Sequence, residues 1–300
     1  MRVGCSVGDE GVGMAVSGVG VWSAQLHYGD AARAAEAAAE LEQLGYQALW
    51  IPDMGGGTLF DAAERLLAAT SRVTVASGVL SLWNFEVADV VRGRAALEAA
   101  YPGRFLLGIG VSHAIAVDHG DPGRYRRPVA AMEAFLDALD AAEPAVPAAN
   151  RVLAALGPRM LGVAAKRSAG VHSYLVTPQH TAAAREAVGA GPLLLPEQTV
   201  ILCADADEAH EIGGRWLRGY LSLPNYANSL IRLGFTAEEV AEVSDRVFDA
   251  MIAWGDEEAI ARRVREHRDA GADHVTLQVL TADQQAFPLT EWRRLAPAVV

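Results

Sequence analysis

Lysine is almost absent from this chain of 300 residues: among its 25 cationic residues only Lys166 is a lysine, and the others are arginines. The formal net charge is −12. A chain this acidic is not expected to present a basic face to nucleic acid or to an anionic membrane. Any anionic ligand must therefore be held by arginine, by backbone N–H groups or by helix N-termini.

Cysteine and long apolar runs are scarce as well. Cys5 and Cys203 allow at most one disulfide and no cysteine-based zinc site, so a reducing cytoplasm is the expected compartment. The longest uncharged stretch, residues 11–29, is interrupted by glycines and polar residues, which favours a loop and a buried strand over a membrane span. The start of the chain also lacks the compact apolar segment of a signal peptide.

Short apolar segments that alternate with amphipathic helices are abundant. Hydrophobic residues make up 51% of the chain, a composition that forms a globular core. The helix predicted over residues 30–45 has Asp30 as its N-cap and Gly45 at its C-terminal end. Eight strands are predicted, over residues 18–23, 46–51, 73–76, 104–109, 151–155, 171–176, 199–203 and 274–279.

This alternation predicts an α/β fold, a (β/α)8 TIM-like barrel, with a doubly wound open sheet as the alternative. Residues 18–300 form one barrel domain in this interpretation, preceded by an arm or extension over residues 1–17. Residues 221–254 read as a helical insertion before the eighth strand, with two extra helices and no strand in residues 224–254. The insertion predicts either a lid over the barrel mouth or a dimer contact.

The loops after the strands carry the candidate chemistry, because ligands of such barrels bind at the carboxyl ends of the strands. Gly157 and Pro158 open a helix beside Arg159, a pattern typical of a phosphate site and equally of an ordinary strand-to-helix turn. Gly110 and its neighbour Gly108 either admit a flat ligand or relieve crowding. His113 is a candidate acid, base or hydrogen-bond donor. No His, Asp or Glu set has metal-ligand spacing, so no metal site is predicted.

Several segments resemble the luciferase-like flavin and deazaflavin superfamily, and within it the coenzyme F420-dependent oxidoreductases. The most specific segment is AYPGRFLLGIGVSH at residues 100–113. The others are GVW at 20–22, LGYQALWIPD at 44–53, VLAALGP at 152–158, YLVTP at 174–178 and AGADH at 270–274. The resemblance implies a barrel of the luciferase-like type that holds a deazaflavin or flavin at the carboxyl ends of its strands.

The resemblance also implies roles for individual residues. Asp53 and His113 take the catalytic positions, and a non-proline cis peptide bond is expected at Gly78–Val79. The implied cofactor-binding residues are Trp22, Asp53, Met54, Gly78, Val79, Leu80, Gly110, Ser112, Gly157, Pro158, Arg159 and Met160. The expected substrate-binding residues are Trp83, Asn84, Tyr174 and Tyr226.

Two departures limit what the resemblance implies. Met54 and His113 stand where sugar-phosphate dehydrogenase relatives often carry histidine and glutamate, so their mechanism does not transfer. We expect an F420-dependent oxidoreductase that transfers a hydride between the deazaflavin and a small organic substrate, in the reductase direction. The alternatives are an FMN-dependent luciferase-like monooxygenase and a catalytically degenerate ligand-binding barrel. Because the superfamily often forms dimers, a homodimer is expected.

Overall fold

The structure is a computed structural model, and it describes residues 16–119 and 121–300. Its strands are β1 Gly18–Trp22, β2 Ala48–Ile51, β3 Thr74–Ser77, β4 Leu80–Ser81, β5 Phe105–Gly110, β6 Arg151–Ala154, β7 Gly170–His172, β8 Leu193–Leu194, β9 Glu197–Ile201, β10 Ile252–Trp254 and β11 His274–Val279. All of the strand pairs are parallel, and the order along the sheet is β10-β9-β11-β1-β2-β3-β5-β6-β7-β8, with β4 beside β5.

Helices occupy most of the connections between these strands. They are α1 Gln25–Tyr28, α2 Ala31–Gln43, α3 Leu59–Ala68, α4 Val87–Ala100, α5 Ala114–Val117, α6 Pro128–Asp140, α7 Pro158–Arg167, α8 Pro178–Val188, α9 Ala206–Leu221, α10 Pro224–Arg232, α11 Ala237–Glu242, α12 Asp245–Met251, α13 Glu257–Asp269 and α14 Leu289–Val299. The expected cap of α2 is present, since the Asp30 side chain accepts from the Arg33 N–H at 3.0 Å.

The segment from β8 to β9 closes the sheet into a ring. The N–H groups of Leu193, Leu195 and Glu197 donate to carbonyls of residues 169, 171 and 173 on the β7 side. The same segment pairs with β11 on its other side, from Glu197 opposite Thr276 onward. All eight predicted strands are present in this ring, so the predicted barrel is confirmed.

Buried hydrophobic side chains form three clusters: an outer core, an inner core, and a cluster under the insertion that includes Phe248 and Ile252. The outer and inner cores lie on opposite faces of the strands. The outer core lies between the strands and the helices and includes Leu49 and Ile51 of β2. The inner core fills the ring with Trp22, Ala48, Trp50, Ala76, Leu106, Val152 and Leu195. A ring filled in this way is a packed interior rather than a pore.

Inside the ring, Trp50 packs against two imidazoles. The Trp50 ring stacks on His172 at a centroid distance of 4.3 Å, and its Nε1 donates to His274 Nε2 at 3.2 Å. His274 Nδ1 in turn contacts the Ser17 carbonyl oxygen at 2.9 Å, just before β1. Burial lowers the pKa of both histidines to about 4, so both are neutral at neutral pH.

The insertion differs from the prediction in its details. Residues 224–254 contain three helices, α10 to α12, and then the strand β10, where two helices and no strand were predicted. The prediction was wrong because the strand is only three residues long, and Ile252 pairs with Thr199 at the edge of the sheet. Helix α14 and the short strands β4 and β8 were also missed, and the predicted arm lies outside the described residues except for residues 16 and 17.

Candidate active site at the barrel mouth

The carboxyl ends of the strands meet at one end of the ring, and this mouth has two unlike halves. The glycine half consists of the segments after β2, β3, β5 and β6, at residues 53–57, 78–79, 110–113 and 154–159. The aromatic half consists of Trp22, Tyr174, Tyr220 and Tyr226 together with Gln278. Val79, Ala154 and Leu156 are partly exposed in the glycine half, so solvent reaches this side of the mouth.

A bulge after β3 shapes the glycine half. The peptide bond between Gly78 and Val79 is cis, as the resemblance implied. The Trp22 indole Nε1 donates to the Gly78 carbonyl oxygen at 2.7 Å and connects the two halves of the mouth. A Cβ at Gly78 would lie 2.8 Å from that indole nitrogen, so the bulge requires glycine at this position.

The two glycines of β5 leave room for neighbouring protein atoms. A Cβ at Gly108 would overlap the Ser77 carbonyl oxygen, and one at Gly110 would lie 2.6 Å from Val79 Cγ2. The Ser77 hydroxyl also donates to the Gly108 carbonyl oxygen at 2.9 Å. Relief of crowding by neighbouring protein atoms therefore applies to both glycines, and contact of a ligand with Gly110 stays a prediction.

Asp53 ties the loop after β2 to the segment after β3. Its carboxylate accepts from the Gly55 N–H at 2.9 Å, from Asn84 Nδ2 at 3.2 Å and from the Ser81 N–H at 3.4 Å. The structure therefore brings Asp53 and Asn84 together. The side chain of Met54 is 66% exposed at the rim of the mouth.

His27 holds both ends of this loop, a role that the sequence did not indicate. Its Nδ1 contacts the Pro52 carbonyl oxygen at 2.6 Å and its Nε2 contacts the Thr58 hydroxyl at 3.0 Å. Because a carbonyl can only accept, Nδ1 carries the proton, and Nε2 accepts from Thr58 when the ring is neutral. Burial lowers the pKa of His27, which favours this neutral form.

Helix α7 begins at the edge of the glycine half with an open N-terminus. Its cap is Gly157, which makes no side-chain cap, and Pro158 has no N–H to offer. The N–H groups of Arg159 and Met160 thus lie in the first turn without an intrahelical acceptor. A Cβ at Gly157 would meet no atom within 4 Å, and Arg159 is exposed and forms no ion pair with another described residue. This geometry suits an anion.

Tyr174 is the centre of the aromatic half. Its ring lies 5.2 Å from Trp22, 5.5 Å from Tyr220 and 6.3 Å from Tyr226. Its hydroxyl donates to Gln278 Oε1 at 2.6 Å and lies 3.2 Å from the Tyr220 hydroxyl. Burial raises the pKa of Tyr174 well above its usual range, so the phenol stays neutral.

A buried carboxyl lies below this cluster. Glu197 Oε2 accepts from the Leu175 N–H at 2.7 Å, and Oε1 accepts from the Thr199 hydroxyl at 2.7 Å. Leu175 has φ of +53°, a left-handed conformation that is uncommon without glycine, and the bond to Glu197 holds it there. Burial raises the pKa of Glu197 to about 7.

His113 lies where the two halves meet under α10. Its Nδ1 is 3.0 Å from Asn225 Oδ1, and its ring is 5.4 Å from that of Tyr226. Burial lowers the pKa of His113, and the hydrogen bond to Asn225 partly opposes this shift. Ser112, the residue before it, has φ of +53°, so the chain turns sharply between β5 and this imidazole.

Comparison with a family model shows to which family the chain belongs. The model of the luciferase-like monooxygenase family matches residues 13–274. The chain belongs to this family. Luciferase-like proteins of this kind include oxidoreductases and monooxygenases, some of which depend on F420. Comparison with curated proteins gives no match.

Solved structures share the luciferase-like fold at low sequence identity. The F420-dependent tetrahydromethanopterin reductase from Methanopyrus kandleri is 14% identical with a TM-score of 0.72, covering 94% of this chain and 98% of its own. An F420-dependent secondary alcohol dehydrogenase, solved with an F420-acetone adduct, is 15% identical with a TM-score of 0.71 and coverages of 95% and 99%. A Baeyer-Villiger monooxygenase from Pseudomonas putida, solved with FMN, is 14% identical with a TM-score of 0.65 and coverages of 95% and 99%.

Most of the predicted site residues of this luciferase-like chain lie at the mouth, but some side chains point away from it. Leu80 and Met160 are buried in the outer core, so only their backbone atoms are available to a ligand. The indole of Trp83 donates to the Val111 carbonyl oxygen at 2.7 Å. The sequence analysis assigned no role to His27, Tyr220 and Gln278 at the mouth, or to Glu197 below it. The local sequence around these residues gives little indication of their roles, because each role depends on contacts between distant segments.

Three further observations concern metal binding, membrane-spanning helices and cavities. Within residues 16–119 and 121–300, no group of three His, Cys, Asp or Glu side chains could hold a metal ion. None of the helices that the structure describes is long and apolar enough to cross a membrane. Two cavities, of about 300 and 210 Å³, lie beside Arg263 and Glu266 of α13 and include none of the predicted site residues.

Proposed function

We propose that this chain is an F420-dependent oxidoreductase that transfers a hydride between the deazaflavin and a small organic substrate, in the reductase direction. The observation that carries the proposal is the uncapped start of α7 at Gly157, with Arg159 beside it, next to the solvent-exposed glycine half of the mouth. An anionic cofactor tail at this helix start would leave its ring system over the glycine half. The choice of F420 over FMN follows the sequence resemblance.

The residues of the mouth fit such a cofactor. The N–H groups of Arg159 and Met160 would bind a phosphate together with the Arg159 guanidinium. The open space beside Gly157 leaves room for that group, because even a Cβ there meets no atom within 4 Å. When bound, the deazaflavin supplies or accepts the hydride.

The protein contributes positioning, exclusion of water and a proton site. Trp22, Tyr174 and Tyr226 form an apolar wall opposite the glycine half, which limits access of water to the reacting atoms. His113 is the titratable group at the boundary of the two halves, and burial lowers its pKa, so the protonated form that would donate a proton in the reductase direction is the minor form at neutral pH. Asp53 holds the loop that carries Met54, and in this proposal both also contact the cofactor.

A binding titration tests the proposal. Purified protein is titrated with F420 while the cofactor fluorescence is followed, and a parallel titration uses FMN. We expect F420 to bind with Kd below about 100 μM, roughly 5.5 kcal/mol of binding free energy. Binding of FMN alone would replace the proposal with an FMN-dependent monooxygenase. Binding of neither would favour a degenerate barrel, whose mouth is filled by its own aromatic side chains.

The role of His113 is tested by turnover with a cofactor-dependent substrate. His113→Ala should lower kcat by about 10² or more, the contribution of a positioned acid or base, while F420 affinity stays unchanged. Unaltered turnover would remove His113 from the mechanism. A His27→Ala control separates positioning of the Pro52–Thr58 loop from proton transfer, because His27 contacts only that loop through its ring nitrogens.

A further inference from the structure

The hydrogen bond between His113 and Asn225 joins two parts of the chain that are 112 residues apart. His113 follows β5, and Asn225 is the second residue of α10 in the insertion. The next residue along α10, Tyr226, is buried against the His113 ring. The insertion therefore supplies the hydrogen-bond partner of the one imidazole in the proposed reaction.

The partner atom determines which imidazole nitrogen carries the proton. Asn225 presents its amide oxygen, which can only accept, at 3.0 Å from Nδ1. A neutral His113 must then hold its proton on Nδ1 and leave a lone pair on Nε2. Without such a partner, both neutral tautomers would be accessible.

We propose that Asn225 is a positioning residue that holds the proton of His113 on Nδ1 and so makes Nε2 the atom that exchanges a proton with the substrate. The inference rests on the proposed function, and it adds the residue that prepares the imidazole and a substrate class. That class is a small carbonyl compound, or the corresponding alcohol, whose oxygen meets Nε2.

The proton and electron balance is simple. In the oxidising direction the C–H bond of the alcohol breaks, its hydride goes to the bound deazaflavin, and its hydroxyl proton goes to Nε2. In the reducing direction the hydride adds to the carbonyl carbon, and the imidazolium Nε2–H gives its proton to the oxygen. The oxidising direction thus needs neutral His113, and the reducing direction needs its protonated form.

The surroundings of His113 contain few groups that could disturb this equilibrium. Tyr226 of α10 and Tyr125 before α6 pack nearby, and burial raises the pKa of both phenols, so both are uncharged. Asp118, on the same segment as His113, accepts from the Tyr125 N–H at 2.7 Å. Among the described residues, Asn225 is the one group whose hydrogen bond shifts the pKa of His113.

The tautomer can be measured without cofactor or substrate. The full chain with ¹⁵N-labelled histidine is examined by long-range ¹H–¹⁵N correlation NMR, and the His113 signals are identified by their loss in His113→Gln. We expect the Nδ1–H tautomer in the native chain and in Asn225→Asp, which keeps an acceptor oxygen, and a mixture in Asn225→Leu. An Nε2–H tautomer in the native chain would overturn the proposal.

The pKa of His113 gives a second readout that a purely structural contact would not change. Asn225→Asp places a carboxylate on Nδ1 and should raise the pKa of His113 by about one unit or more. Asn228→Asp is the matched control, because it adds the same charge one turn along the exposed face of α10. Equal shifts in the two variants would mean that charge alone acts, and would refute the positioning role.

Turnover then connects the tautomer to the reaction. In Asn225→Asp, the pH profile of kcat should move to higher pH on the limb that His113 controls, in either direction of hydride transfer. In Asn225→Leu, kcat should fall at least tenfold with F420 affinity unchanged. If F420 does not bind the native chain, the proposed function fails, whereas the NMR result still decides whether Asn225 fixes the tautomer.

Discussion

The two halves of the barrel mouth are built by different means. In the glycine half the backbone determines the shape: a bulge at Gly78–Val79, the glycines of β5 that make room for it, and the bare N-terminus of α7. In the aromatic half side chains determine the shape, because four aromatic rings and the Gln278 amide fill the space between β1, β7 and α10.

Because of this difference, the two halves should tolerate substitutions to different degrees. A side chain added to a backbone-built surface meets main-chain atoms that cannot move away. A side chain changed in the aromatic half meets neighbours that can adopt other rotamers. We therefore expect substitutions in the glycine half to affect stability or cofactor binding strongly, and those in the aromatic half to have smaller effects.

The largest effect is expected from Gly108→Ala. The added Cβ would overlap the Ser77 carbonyl oxygen, so β3 and β5 must separate beside the bulge. We expect a loss of about 3 kcal/mol or more in the free energy of unfolding, measured by urea denaturation. Gly162→Ala is the control, because that Cβ meets no atom within 4 Å and lies inside α7, where alanine favours helix by about 1 kcal/mol. Similar stabilities of the two variants would contradict the claim that main-chain atoms determine the shape of the glycine half.

The second effect concerns pH and the carboxyl below the aromatic half. Burial raises the pKa of Glu197 from 4.5 to about 7, so the folded chain binds this proton more tightly than the unfolded chain. The contribution of Glu197 to the free energy of unfolding is therefore complete below about pH 4.5. It is lost as the pH rises towards and through 7, and the loss reaches up to about 3 kcal/mol.

Glu197→Gln isolates this contribution. The amide can donate to Thr199 and accept from the Leu175 N–H, as the protonated carboxyl does, but it does not ionise. The stability of the variant relative to the native chain should therefore increase between pH 5 and pH 8 in urea unfolding. A difference independent of pH would show that Glu197 does not titrate in this range.

Arg159→Ala should weaken cofactor binding by about 1.5 kcal/mol, roughly tenfold in Kd, because it removes a charged partner of the phosphate but leaves the helix N–H groups. Lys166→Ala, at the other end of α7, should leave Kd unchanged. The F420 titration described above measures both. An unchanged Kd in Arg159→Ala would mean that the backbone N–H groups of α7 bind the phosphate without the guanidinium.

The smallest effect is expected from Tyr174→Phe, which removes a hydroxyl but keeps the ring between Trp22 and Tyr226. The hydrogen bonds to Gln278 and Tyr220 are lost, at a cost of about 1 kcal/mol in unfolding free energy. A loss as large as that of Gly108→Ala would mean that the aromatic half is as rigid as the glycine half.

The glycine half was largely predictable from the sequence because it depends on short, local patterns. Gly157 and Pro158 indicate a helix start by their order in the chain, and the run at residues 100–113 places Gly110 and His113 at the end of a strand. The eight strands followed from apolar segments that alternate with amphipathic helices. Each of these features is complete within about fifteen residues, so the sequence contains the information without any knowledge of tertiary contacts.

The aromatic half depends on contacts between segments that are far apart in the chain, and these could not be predicted. Tyr174 meets Gln278 across 104 residues, and His113 meets Asn225 across 112 residues. The prediction also failed for the end of the insertion, where Ile252–Trp254 forms a strand only because β9 offers a free edge. Similarly, the role of His27 requires both Pro52 and Thr58 to lie within reach of one ring.

The stack of Trp50, His172 and His274 joins β2, β7 and β11 through the interior of the ring. None of these strands pairs with another of the three, and β7 lies opposite β2 in the ring, so the side chains connect walls of the barrel that no backbone hydrogen bond connects. A substitution at Trp50 would therefore disturb three strands at once.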